Sequence, residues 1–463
     1  MQRGRRSQLF SLILASSLLA AHSTAHAADW PLRPGDLTVQ QLPEATAAAR
    51  VQQRQQQVNL IQPQRYDLSR YPLGDRHETH WRQTLWATAV LEPKQPEIAT
   101  AIATLTGYAA QPNLTPSQQR SVQMALQVGT QLYISDPQFF RELGDRLRQV
   151  VADSPQPDWV AMALSALARG GESPDNLRAQ IQQIRLRFAR QGTMRLDITL
   201  HDLETRLQAE PLPPLRDLLA WQVVPQQAHL YIFCRPDRSI LCRAVLKDRN
   251  GRFVRESADP DAPLWSVELL SRTLHHGLAW NFTRGESPQG IYRIEGTMPR
   301  LESGYFRAFG QFPLVKVFMP YERGTTEFLP GQRGTWTATP DAYRALLPPS
   351  WRDHFPMQQT YWAGRLGRSL IRIHGSGEPP DFFANNERFP ESYQWNPTIG
   401  CFSAVELYDD SGRLQRADMP KILTALNAAG GGSIEGYLVA VEVPGSDAPV
   451  SLAEITAAIT ITN

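Results

Sequence analysis

The chain changes period near its middle. Before residue 211 apolar side chains recur at helical spacing, as in Val122, Leu126, Val128 and Leu132 and again in Phe140, Leu143, Leu147 and Val150. From about residue 228 they come instead in short β-type runs separated by turn residues. Pro211, Pro213 and Pro214 mark the border. The reading is an α+β multidomain chain, with an N-terminal α-helical bundle or short solenoid followed by a mainly β domain.

The helical half is expected over 76–215. Thr115-Pro116, Asp136-Pro137 and Ser173-Pro174 each place a capping residue before a proline, which suits the first helical position because its missing N–H has no partner there anyway. Helices are expected at 78–91, 95–109, 116–134, 137–152, 158–169, 174–190 and 199–209, with no fixed repeat period. Upstream, 28–75 is a Pro- and Gln-rich lead-in. Residues 44–56 read either as a helix that is polar nearly all round or as flexible chain. His77 and His80 imitate a metal motif, but the spacing is three where a zincin needs four, so a solvated first helical turn is expected.

The first residues read as an export signal: Arg3, Arg5 and Arg6, then an apolar stretch too short to span a membrane, then Ala25-His26-Ala27 as a cleavage site. Cleavage after residue 27 removes three Arg and no acid, so a chain of 463 residues with formal charge +2 becomes one with 44 basic and 45 acidic side chains. No strongly basic face is implied, which argues against nucleic acid as a partner. No later run reaches membrane-spanning length, so no stable span is expected after cleavage, and the protein is expected to be exported.

The β half is expected over 228–445, with 446–463 as a tail. Strands are expected at 229–235, 240–247, 265–270, 291–295, 315–320, 369–374 and 436–443, and helices at 340–347 and 418–429. Cys234 and Cys242 flank a turn at 236–239, which suggests a cross-strand disulfide in an oxidising compartment or, alternatively, two free thiols on a hairpin. No ligand set at metal spacing accompanies them, and no metal or cofactor is expected. Cys401 is then an odd thiol. His275 and His276 are adjacent, so their side chains would point to opposite faces of a strand, and surface positions are expected.

One stretch carries chemistry. His374 ends a strand-like run, Gly375 and Gly377 follow it, and then comes Thr398-Ile399-Gly400-Cys401, whose cysteine lies 27 residues after the histidine. A thiol near pKa ~8.5 is mostly protonated at neutral pH, and a neighbouring imidazole can take its proton and return one to a leaving amine. The backbone N–H groups of Gly400 and Cys401 are natural oxyanion donors. Arg372 has the facing parity of His374 and is a candidate to bind a carboxylate. Glu378 and Asp381 read as a solvated loop.

Residues 284–294, RGESPQGIYRI, together with His374-Gly375 and Thr398-Ile399-Gly400-Cys401, resemble in order the two signatures of the L,D-transpeptidase (YkuD-type) catalytic domain family. The resemblance covers roughly 228–445 and not the helices. It implies a mainly β catalytic domain acting on peptidoglycan stem peptides in the periplasm or cell wall. Cys401 would be the nucleophile, His374 the general acid/base, and Gly375 the residue whose carbonyl orients the imidazole. Thr398 and Ser403 would lie where substrate binds. The sequence departs from the pattern at Ile399, where the family has His, and at Ser403, where it has Arg or Asn. An aromatic insertion at 378–395 reads as a lid or cleft wall, or as a packed surface loop. A non-catalytic wall-binding or scaffold protein is the alternative, with the helical region contacting a protein partner.

Overall fold

The computed structural model describes residues 41–299, 310–383 and 388–460. The expected export signal, the start of the lead-in and part of the aromatic insertion lie outside these.

Helices follow one another through the first half: α1 (Ala47–Leu60), α2 (Glu78–Leu91), α3 (Pro96–Gly107), α4 (Pro116–Ser135), α5 (Arg141–Asp153), α6 (Pro157–Arg169), α7 (Pro174–Arg187), α8 (Met194–Gln208) and the short α9 (Leu215–Ala220). The caps explain the bounds. Thr115 and Gln118 form a reciprocal capping box on α4, and Ser173 accepts from the Asn176 N–H at the start of α7. Two starts differ from the sequence reading. The Asp136 carboxylate accepts from the Phe139 N–H, which holds the expected first turn of α5 as a separate turn. Thr193 accepts from the Leu196 N–H and begins α8 earlier than its apolar pattern does. The apolar stripes meet in one core that includes Trp81, Leu126, Leu147 and Leu164. His80 stacks on Tyr71 at 3.7 Å and Glu78 pairs with Arg120 at 2.6 Å, so the imitation metal motif is structural.

The lead-in is docked rather than loose. Arg50 of α1 is buried and reaches the Asp410 carboxylate at 3.1 Å, and Arg54 donates to the Phe382 carbonyl at 3.2 Å.

The second half contains β1 (Ala228–Cys234), β2 (Cys242–Lys247), β3 (Ser266–Leu270), β4 (Gly290–Met298), β5 (Leu314–Phe318), β6 (Glu327–Leu329), β7 (Gln332–Arg333), β8 (Arg372–Gly375), β9 (Phe402–Ala404), β10 (Glu406–Tyr408), β11 (Leu414–Ala417) and β12 (Glu435–Glu442). Eight of them close a barrel in the order β1-β12-β4-β5-β8-β9-β3-β2, and β6/β7 and β10/β11 form separate two-stranded sheets. The β1–β12 and β8–β9 pairs are parallel, and the other barrel pairs are antiparallel. Alternate residues such as Leu230, Leu246, Ile294, Val317, Ile373, Phe402 and Leu438 share one core. Tyr231, Val245, Ile291 and Tyr437, of opposite parity, join a second core with Trp336, Tyr343 and Trp351. Helices α10 (Pro340–Arg344), α11 (Gln359–Arg365), α12 (Met419–Ala429) and α13 (Leu452–Thr460) complete the chain. α13 falls in the expected tail; its Ile455 packs in the same core as Leu218 and Leu219 of α9. Cys234 and Cys242 are disulfide-bonded across the turn, which resolves the two alternatives. Among the described residues no helix is long and apolar enough to cross a membrane.

The two halves share surface through residues 271–287. Leu274, Leu278, Ala279 and Phe282 lie in the core of the helical half, together with Phe382 and Phe383 of the insertion. Asn281 donates to Thr199 Oγ1 at 2.7 Å, and His276 lies 2.8 Å from Ser135 Oγ and 3.0 Å from the Glu92 carboxylate. His275 is fully buried, with Trp86 at its edge, and His276 is nearly so. The expectation of surface histidines is therefore wrong: the segment carrying them is not a strand but a loop inserted between the two halves.

Candidate active site

The parallel pairing of β8 with β9 assembles the centre. Ile373 is opposite Phe402, His374 opposite Ser403 and Gly375 opposite Ala404. Paired residues of parallel strands face the same side. Ile373, Phe402 and Ala404 belong to the barrel core, so His374 and Ser403 face away from it, and Arg372 and Cys401, two residues earlier on each chain, share that side. The thiol is one diagonal step from the imidazole.

Cys401 is 5% exposed and His374 2%. The thiol donates to the Leu370 carbonyl at 3.6 Å. Burial pushes it up to about 11, against the Arg372 backbone N–H and the charges of Arg372 and Arg368, which favour the thiolate. Burial also pushes His374 down to about 4, and the Gly375 carbonyl, which favours the imidazolium, offsets only part of this. At neutral pH the pair therefore rests as thiol and neutral imidazole.

The remaining expected site residues hold the cysteine turn. Thr398 Oγ1 donates to the Cys401 carbonyl at 2.9 Å and accepts the Gly400 N–H at 3.1 Å. The Gly400 N–H is thus turned to Thr398, not toward a substrate oxyanion. Ser403 is fully buried, with its hydroxyl 2.8 Å from that of Ser376. The Arg372 guanidinium is buried over Phe318; it donates to the Val317 and Ile371 carbonyls and lies 3.6 Å from Glu322. It faces carbonyls and a carboxylate of its own chain rather than an open subsite. Glu378 is fully buried, while Asp381 is exposed as expected.

The two signatures meet in space. Ser287 Oγ donates to the Gly400 carbonyl at 3.0 Å and accepts from Ser271 Oγ at 3.1 Å. The Leu274 N–H donates to the Thr398 carbonyl at 2.7 Å, and the Thr398 N–H donates to the Arg272 carbonyl at 3.0 Å. Glu286, next to Ser287, is gripped by Arg169 of α6 through two contacts, the Nη2 one at 2.6 Å. Burial works to raise the Glu286 carboxyl, but the guanidinium groups of Arg169, Arg238 and Arg206 together outweigh it and leave it below the usual range.

Three contributors carry no local signal in the sequence. Arg368, just past α11, donates to the carbonyls of Trp280, Glu286 and Gly285. Glu322 accepts the Leu370 N–H at 2.8 Å and the Met319 N–H at 3.1 Å; burial raises its carboxyl. Leu370 has φ +65°, uncommon for a side chain of its size, and is 59% exposed. Ile399, where the resemblance expects a histidine, is 48% exposed, two residues before the buried thiol.

The insertion has two parts. Phe382 and Phe383 are packed in the helical core, whereas Tyr393 and Trp395, with Leu241, Pro390 and Arg416, line a cleft of about 500 Å³. Among the described residues no cluster of His, Cys, Asp and Glu could hold a metal ion. No family model, curated protein or solved structure matches this chain.

Proposed function

We propose that the protein is an exported L,D-transpeptidase-like cysteine acyltransferase acting on peptidoglycan stem peptides, with Cys401 as nucleophile and His374 as general acid/base. The observation that carries this is the contact between the two motifs: Ser287 of the first bonds Gly400 of the second, beside an imidazole on β8 and a thiol immediately before its parallel partner β9. In the proposed reaction His374 takes the thiol proton as Sγ bonds to the carbonyl carbon of the stem peptide. The C–N bond to the terminal D-residue then breaks, and the proton goes to the leaving amine. An amine of a second stem peptide resolves the thioester to a crosslink; water gives the carboxypeptidase outcome.

A non-catalytic wall-binding role is the second reading. The observation favouring it is the burial of both groups, which leaves the thiol protonated and the imidazole neutral. The two readings separate in one experiment. The mature protein is incubated with a carbapenem and weighed by mass spectrometry, and then incubated with tetrapeptide-bearing muropeptides. An adduct absent from Cys401→Ala supports the enzyme. No adduct and no turnover, with retained binding to isolated cell wall, supports the scaffold.

A further inference from the structure

Arg368 is 6% exposed, and no carboxylate among the described residues lies within ion-pair distance of it. Its hydrogen bonds all go to carbonyls, since Nη1 donates to Trp280 and Glu286 and Nη2 to Gly285 at 2.9 Å, while the Glu286 carboxylate, already paired with Arg169, acts on it only at longer range. Three of its five N–H donors are used in this way. The same Nη2 packs against Gly400, since a Cβ built there would lie 2.5 Å from it. Gly400 has φ +124°, so both its backbone and the guanidinium demand glycine. The other arginine near the thiol, Arg372, is different because Glu322 lies 3.6 Å from it and compensates its charge. An uncompensated buried cation costs free energy unless an anion forms beside it. The residue next to Gly400 is Cys401, whose sulfur becomes that anion on losing its proton.

We propose that Arg368 is the electrostatic partner of Cys401, a positioning residue whose fixed guanidinium, held against Gly400 by three carbonyls, stabilises the thiolate. The inference rests on the reading of Cys401 as the nucleophile. Burial opposes ionisation of both groups, and each favours the other's charged form. Arg368 also anchors the loop that carries Glu286 and Ser287, so one side chain ties the first motif to the charge state of the second.

The test is alkylation of Cys401 in the full folded chain, followed against pH by mass spectrometry with neutral iodoacetamide and with anionic iodoacetate. Arg368→Met is expected to raise the pH midpoint by about one unit, which slows alkylation about tenfold at neutral pH. It should also lower the preference for iodoacetate. Arg368→Lys keeps the charge and should stay close to the parent. Unchanged midpoint and reagent preference in folded Arg368→Met overturn the proposal and leave the nucleophile reading standing. A parent thiol that neither reagent alkylates and no carbapenem acylates overturns both. If Arg368→Met does not fold, the Arg368 guanidinium resonances of ¹⁵N-arginine-labelled protein are followed through the thiol titration. A titration present in the parent and absent in Cys401→Ser supports the pairing; no titration in the parent overturns it.

Discussion

Ser287 Oγ donates to the Gly400 carbonyl at 3.0 Å across a separation of 113 residues. The bond is buried and is continued by the bond from Ser271 at 3.1 Å. It joins the loop after β3 to the turn before β9.

Ser287→Ala leaves the Gly400 carbonyl and the Ser271 hydroxyl without this partner. The expected loss of stability is about 2 kcal/mol, read as a lower urea midpoint at unchanged slope. Alkylation of Cys401 should change with it, because the turn holding the thiol loses a tether. An unchanged midpoint would show that the bond is incidental.

The Arg169–Glu286 pair binds α6 to the same loop, with side-chain exposures of 23% and 7%. Arg169→Met removes the ion-pair partner of a buried carboxylate and should cost roughly 3 kcal/mol at pH 7. The Glu286 carboxyl is held below its unfolded value. Its stabilisation is therefore present above the unfolded carboxylate range and is lost as pH falls through the folded value. The gap between parent and variant should narrow in acid. A gap that is constant with pH would rule out the charge pair as its cause.

Buried histidines predict acid sensitivity of a different kind. Burial holds His374 at about 4, and His229 and His275 at about 3. Each is neutral in the fold and binds a proton in the unfolded chain once pH falls below about 6.5. The unfolded state then holds more protons, so stability rises with pH between the folded values and 6.5 and is lost on acidification. Each group contributes on the order of 3 kcal/mol to this loss. Both ring nitrogens of His275 lack a hydrogen-bond partner among the described residues. His275→Phe should therefore flatten the dependence, as measured by urea midpoints from pH 7 to 4.5. An equally steep profile in the variant would exclude His275 as a contributor.

The Cys234–Cys242 disulfide closes a short turn with a sequence separation of 8. The loop-entropy relation gives about 2–3 kcal/mol for a loop of that size. The double variant Cys234→Ala/Cys242→Ala should lose about that much stability, and the unreduced, denatured parent should show one thiol, that of Cys401. Three thiols in the unreduced protein would contradict the bond.

Local chemistry made much of the chain legible. Thr115-Pro116 and Ser173-Pro174 announce α4 and α7 because a cap and a proline act within one turn. The hairpin holding Cys234 and Cys242 is equally local, as is the change of period after the prolines at 211–214. The residue types of the candidate centre, and their order, were also in the sequence. Tertiary structure decided what surrounds them. β9 has three residues and pairs in parallel with residues 29 positions earlier, as Phe402 with Ile373, too short and too distant a partnership to leave a period. That register alone puts Cys401 on the same side as His374. Arg368 carries no signal of its own in the sequence, and only the fold brings the carbonyls of Trp280, Gly285 and Glu286 around it. The loop 271–287 has no helical or strand pattern because its partners are the helical core and the Thr398 backbone, not itself. Caps, turns and periods are interactions between near neighbours in sequence, whereas burial, register and uncompensated charge belong to segments that meet only when the chain is closed.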